Sequence, residues 1–167
     1  MTERPLWAPW RIEYVTSRKP AECIFCAAAS TGDSEGLVID RGPLCLTMLN
    51  AYPYAPGHLM VAPNRHVGEL DSLNDIELTE LMLQTRTAVS LLREVMTPGG
   101  FNVGLNLGTV AGAGIAEHLH MHIVPRWHGD TNFMPLLADT TVIPQALTAT
   151  RDLLRGALQT RRRSGSD

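Results

Sequence analysis

The chain has 167 residues, 44% of them apolar, and a formal net charge of −3. That length and apolar share suit a single domain with its own core, and the negative balance argues against a nucleic-acid partner. The start, Met1-Thr2-Glu3-Arg4-Pro5, lacks an apolar signal region, and no run approaches the roughly 18 apolar residues of a membrane span, so the chain is expected to be cytoplasmic, with no membrane partner.

Residues 1–35 read as an irregular, proline-containing arm in which Trp7 and Trp10 are candidate buried anchors. The arm carries Cys23-Ile24-Phe25-Cys26. A CxxC offers two thiolates to zinc, but equally fits a redox pair or two buried thiols. With Cys45 the chain has three cysteines, too few for a disulfide framework.

Leu37–Arg41 and Leu44–Leu49 flank Gly42-Pro43 and predict a hairpin. His58–Ala62 reads as a third strand ending at Pro63. From Asp75 to about Met96, the residues Leu78, Leu81, Met82, Val89, Leu92 and Val95 recur at helical spacing, and Pro98-Gly99-Gly100 stops the helix. Gly100–Leu107 reads as a fourth strand, joined through Gly108–Gly114 to a fifth. Pro144 is placed to open a last helix carrying Leu147, Leu154 and Leu158.

Arg161–Arg163 and the residues after them, 161–167, are expected to be a basic, solvated, disordered tail. The prediction is one α+β domain over residues 1–160: a five-stranded antiparallel sheet, one long helix and a C-terminal helix.

The fifth strand is the most informative segment. In His118-Leu119-His120-Met121-His122-Ile123-Val124-Pro125, three histidines alternate with apolar residues, which puts the imidazoles on one face only if the segment is extended. On a helix, neighbours two apart diverge by about 200°. His118 and His122 lie about 13 Å apart along such a strand, too far to share one metal whose bonds to nitrogen are about 2.0–2.1 Å. Two adjacent histidines can hold a metal. A neutral imidazole can also serve as a nucleophile when one ring nitrogen is fixed as a donor. The glycines of Gly108–Gly114 let backbone N–H groups approach an anion, which suggests a phosphate beside the histidines. A P-loop is excluded: no GxxxxGK[ST] element exists, and Lys19 is the only lysine.

His118-Leu119-His120-Met121-His122 resembles the His-x-His-x-His motif of the histidine triad (HIT) family. Asn50-Ala51-Tyr52-Pro53-Tyr54-Ala55-Pro56-Gly57-His58 resembles that family's nucleotide-binding segment, and Asn102–Asn106 the strand preceding its triad. The likeness runs from about Cys23 to Arg126. Leu6–Arg11, Leu49–Tyr54 and Val124–Trp127 look most like the bacterial branch that includes diadenosine tetraphosphate phosphorylases.

The resemblance implies a HIT-like fold and a nucleotidyl hydrolase or transferase. In it, His120 attacks the α-phosphorus of an adenine nucleotide or dinucleoside polyphosphate, while His122 and His58 orient and polarise. It further implies that Asn50 binds the ribose, that Asn106, Gly112 and Gly114 hold the phosphate, and that Cys23, Cys26, His66 and His118 bind a structural zinc ion. A homodimer is expected on the same ground.

The chain departs from many relatives at Gly114-Ile115-Ala116, where they carry Gln followed by Ser or Thr. Hydrolysis and phosphorolysis therefore both remain open. A zinc hydrolase using His118 and His120 as ligands, and a nucleotide-binding module without catalysis, are the rival readings. His128 has no assigned role.

Overall fold

The computed structural model describes residues 22–30, 36–130 and 146–164. Trp7, Trp10 and Pro144 lie outside them, as do residues 165–167 of the expected tail. The described elements follow in chain order: helix α1 (Ile24–Ser30), strands β1 (Val38–Arg41), β2 (Cys45–Leu49) and β3 (Leu59–Pro63), helix α2 (Asp75–Met96), strands β4 (Gly100–Leu105) and β5 (Met121–Arg126), and helix α3 (Leu147–Ser164). The five strands form one sheet in the order β1-β2-β3-β5-β4, and every neighbouring pair is antiparallel.

The α2 boundaries follow from its ends. Asn74 caps the helix by accepting from Ile76 N–H and Glu77 N–H, and the Glu77 carboxylate returns to Asn74 N–H, a reciprocal capping box. Thr97 ends it in the left-handed region at φ 46°, just before Pro98.

The buried stripe of α2 is Glu77, Leu81, Gln84, Thr85, Ala88, Leu91 and Leu92. Met82, expected on that stripe, is 56% exposed. Gln84 and Thr85 take the inward position because they are bonded there: Gln84 Oε1 accepts from the Thr47 hydroxyl, Gln84 Nε2 donates to Cys45 O, and Thr85 donates to Leu81 O.

Strands β2 and β3 are buried along their whole length, so both sheet faces are covered. On one face Cys45, Leu49, Leu59, Val61, Met121 and Ile123 pack with α2 and with Leu154 and Leu158 of α3. On the other, Leu46, Met48, Met60 and Ala62 pack against Phe25 and Ala28 of α1. The cross-strand pair Met60↔His122 sets His122 on this second face.

Two expectations are corrected. The histidine strand is shorter than its pattern: β5 begins at Met121, and its pairing with β3 ends at Val61↔Met121. Pro63 has no N–H to continue the ladder. Its carbonyl takes His118 Nε2–H at 2.8 Å, while Leu119 N–H turns to Val67 O. Arg161–Arg163 are not a disordered tail, because α3 continues through Ser164. Arg161 bonds Glu94 and Ser90 O, and Arg162 bonds Asp40. Three arginines in the last turn also suit the negative end of the helix dipole.

Candidate active site

The alternation continues before the β3–β5 ladder begins, with Leu119 toward the α2 core like Met121 and the imidazoles of His118 and His120 toward α1. Phe25 lies against both His118 and His120, with ring centroids 4.9 Å apart in each case. The histidine face is therefore covered rather than solvated: His118 is 0% and His120 7% exposed.

Hydrogen bonds fix the tautomers of four rings. His118 Nε2 donates to Pro63 O, so its Nδ1 carries the lone pair. His120 Nδ1 donates to His118 O at 2.8 Å, which leaves Nε2 as the bare, nucleophilic nitrogen. His58 Nδ1 accepts from Tyr54 N–H at 3.1 Å, so His58 Nε2 is protonated and donates to His122 Nδ1 at 3.0 Å. His122 then carries its proton on Nε2, as a donor. Burial pushes the pKa of His118 and of His120 below the ordinary imidazole value and keeps both neutral.

The Tyr54 ring stacks on His58, with centroids 5.0 Å and planes 18° apart. The His120 and His122 centroids are 4.7 Å apart. An open groove of about 290 Å³ runs beside His122, lined by Tyr54, His122, Val124, the β4 residues Asn102 to Leu105, and Asn106 just after the strand.

Of the residues expected to bind substrate, Asn106 lines this groove. Gly112 and Gly114 sit in the β4–β5 connection outside its lining. Gly112 is left-handed at φ 86°, and its N–H goes to Thr109 O. The Asn50 side chain faces its own loop, accepting from Tyr52 N–H at 2.9 Å with Nδ2 3.4 Å from His58 Nδ1. Phe25, Tyr54 and Asn102 were not singled out from the sequence. Tyr54 and Asn102 belong to motifs recognised there, but nothing in their spacing marked them.

The expected metal ligands also converge. One donor atom from each of Cys23, Cys26, His66 and His118 lies within 4.8 Å of all the others. Cys23 Sγ and His118 Nδ1 are 3.3 Å apart, Cys26 Sγ and His66 Nδ1 3.2 Å, Cys26 Sγ and His118 Nδ1 3.7 Å, and the two imidazole Nδ1 atoms 3.2 Å. Bonds of about 2.3 Å to sulfur and 2.0–2.1 Å to nitrogen give tetrahedron edges of about 3.4–3.8 Å, close to these separations.

Donor chemistry agrees with that fit. His118 Nδ1 points its lone pair into the cluster, and the Cys26 thiol is pushed up by burial and then by neighbouring Cys23, a cost a divalent cation reverses. His120 is outside the cluster, its Nδ1 tied to the backbone, so the geometry does not support His118 and His120 as a shared metal pair.

A histidine with a bare Nε2, a donor histidine at a groove and a Cys2His2 cluster on one antiparallel α+β sheet together make up a histidine triad arrangement. The HIT domain family profile matches residues 31–129, and the chain belongs to the HIT family. It is similar to AP-4-A phosphorylase of Mycobacterium tuberculosis (strain ATCC 25618 / H37Rv), with 49% identity over 159 residues, 89% of this chain and 81% of that protein. The bis(5'-nucleosyl)-tetraphosphatase [asymmetrical] of Schizosaccharomyces pombe is 34% identical over 93 residues, 56% of this chain and 50% of that protein.

Among solved structures, a Zn-bound histidine triad family protein from Mycobacterium smegmatis superposes with a TM-score of 0.69. It is 26% identical, and the match covers 86% of this chain and 97% of that one.

Proposed function

We propose that the chain is a nucleotidyl transferase of dinucleoside polyphosphates, using His120 as a covalent nucleophile and inorganic phosphate as the second acceptor. The observation that carries this reading is the bond from His120 Nδ1 to His118 O, which leaves Nε2 deprotonated on a ring packed 4.7 Å, centroid to centroid, from the groove-lining His122. In diadenosine tetraphosphate, Nε2 attacks one α-phosphorus. The new P–N bond forms as the bond to the bridging oxygen breaks, and ATP departs with the electron pair. An oxygen of phosphate then attacks the same phosphorus, the P–N bond breaks, and His120 is restored as ADP leaves.

His122 Nε2–H donates to a phosphoryl oxygen as charge develops there, and His58, held by Tyr54 N–H, keeps His122 in that tautomer. Phosphoryl transfer needs such positioning and charge stabilisation more than elaborate chemistry. Asn106 on the groove supports a phosphate contact, and Asn50 a ribose contact once its loop bonds exchange. Gly112 and Gly114 join the phosphate site through their backbone once the β4–β5 connection moves and the Gly112 N–H leaves Thr109 O.

The 49% identity to an AP-4-A phosphorylase favours phosphate as acceptor. With water instead, the released product is AMP. Turnover of diadenosine tetraphosphate with and without phosphate tests this: ADP formed only with phosphate supports phosphorolysis, AMP supports hydrolysis, and binding without products supports the non-catalytic alternative.

Zinc held by Cys23, Cys26, His66 and His118 would be structural, since four protein ligands leave no position for water. When bound it ties α1 to the segments carrying His66 and His118. Strand β4 ends the sheet with no strand on its outer side among the described residues, and Val103 and Leu107 are 45% and 46% exposed. That edge supports a homodimer with the sheet continued across the two-fold axis. No helix among the described residues is long and apolar enough to cross a membrane.

A further inference from the structure

We propose that Asn102, aimed by Arg126, is a specificity-determining donor that holds the leaving polyphosphate of a long substrate. The proposal rests on the nucleotidyl-transfer reading and adds where the departing half of the substrate lies.

Cross-strand register puts Gly104 opposite His122 and Asn102 opposite Val124, so these four share the groove face. Asn102 is one pleat repeat beyond Gly104, roughly 6.5–7 Å, within reach of the phosphates following the one at His122. Gly104 leaves the floor bare between them, since a Cβ there would meet nothing within 4 Å. All four residues line the same groove.

The orientation of the Asn102 carboxamide is set by chemistry. Arg126 donates from one terminal nitrogen to Asn102 Oδ1 at 2.8 Å, and a guanidinium has no acceptor to offer the amide nitrogen. Nδ2 therefore carries two donor hydrogens with no partner among the described residues. Arg126 is itself held in a fork by Asp130, through Nε to Oδ2 and the other terminal nitrogen to Oδ1 at 2.9 Å. Asp130 also accepts from Trp127 N–H. The carboxylate fixes the guanidinium, the guanidinium fixes the carboxamide, and the amide donors are left for an anionic oxygen. A substrate whose leaving group ends at the α-phosphate does not reach them.

The test compares two substrates by the second-order rate of AMP attachment to the protein: diadenosine tetraphosphate, and an AMP p-nitrophenyl ester as the short substrate. Relative to wild type, Asn102→Ala is expected to lower the long-to-short rate ratio at least tenfold. Asn102→Asp, which replaces donors with an anion, lowers it further. Gly104→Val walls the groove floor and moves the ratio in the same direction, and Asp130→Asn, which loosens the fork, does so more weakly.

Melting curves accompany every variant, and the ratio is read only on folded protein. Ratios within twofold of wild type for both Asn102 variants overturn the proposal while leaving the His120 reading intact. Wild-type protein that forms no adduct with either substrate overturns both.

Discussion

The carbonyl oxygen of His118 accepts the Nδ1 proton of His120 at 2.8 Å, while the His118 ring points its Nδ1 at Cys23 Sγ from 3.3 Å. One residue thus belongs to the candidate metal cluster through its side chain and to the proposed nucleophile, His120, through its backbone. Disturbing the cluster should be felt in both stability and chemistry. Chelation of zinc-loaded protein is expected to cost about 2 kcal/mol or more, roughly 4–8 °C in Tm for a domain of this size, and to slow attachment of AMP to His120. Differential scanning calorimetry and intact-protein mass spectrometry on one sample read both effects. An unchanged Tm would argue that the cluster holds no structural metal.

The thiols give a separate readout. Cys45 is fully buried, and burial pushes its thiol up to about 12, so the reactive thiolate is scarce at neutral pH. Alkylation of native, metal-loaded protein is expected to be slow at all three cysteines. Chelation should release two modifiable thiols, Cys23 and Cys26, with Cys45 reacting only on unfolding. Peptide mapping of the alkylated sites checks the order.

Phe25 covers the histidine face and is 0% exposed. Phe25→Ala should destabilise by about 3–5 kcal/mol, the usual range for opening a core cavity of this size. Because the ring touches both His118 and His120, the remaining folded protein should also label more slowly. Denaturant titration paired with labelling kinetics separates the two losses.

Gly68 permits the close pairing of the His66 and His118 segments. A Cβ there would lie 2.8 Å from Ala116 O and 3.2 Å from two Glu117 backbone atoms, and backbone cannot swing aside as a side-chain tip can. Gly68→Ala is therefore expected to lower Tm by several degrees and to weaken zinc affinity, measured by competition with a chromophoric chelator. Gly104→Ala, where the added methyl meets nothing, is the stability control.

Glu77 supplies a pH signature. Its bond to Arg65, and then to Asn74 N–H, lower its pKa to about 2, against about 4.3 for an unperturbed glutamate. A depressed folded-state pKa means the carboxylate stabilises the fold above about pH 4.3, and that contribution fades as pH falls toward 2. Glu77→Gln should lower Tm at pH 7, and the gap to wild type should narrow steadily below about pH 4.3. A gap constant from pH 7 to 3 would contradict the assignment.

The sequence made the sheet, the long helix and the order of elements legible, because each rests on local pattern: the helical spacing from Leu78 to Val95, the Pro-Gly stop and the period-two strands. It placed Cys23, Cys26, His66 and His118 in one cluster only through family resemblance, since no spacing rule joins a CxxC to histidines 40 and more residues away. What stayed hidden depends on partners distant in sequence. Met82 faces outward because Gln84 finds Thr47 and Cys45 across the core. The arginines at the end of α3 are ordered by Glu94 and Asp40. Residues His118 to His120 leave the ladder because of a proline on another strand.

Intact-protein mass spectrometry after brief mixing with diadenosine tetraphosphate bears most directly on the nucleophile. Wild-type protein should gain the mass of one AMP moiety, His120→Ala should gain none, and added phosphate should discharge the adduct as ADP. Turnover of the dinucleotide by His120→Ala at the wild-type rate, or an adduct that persists in that variant, would contradict covalent transfer through His120.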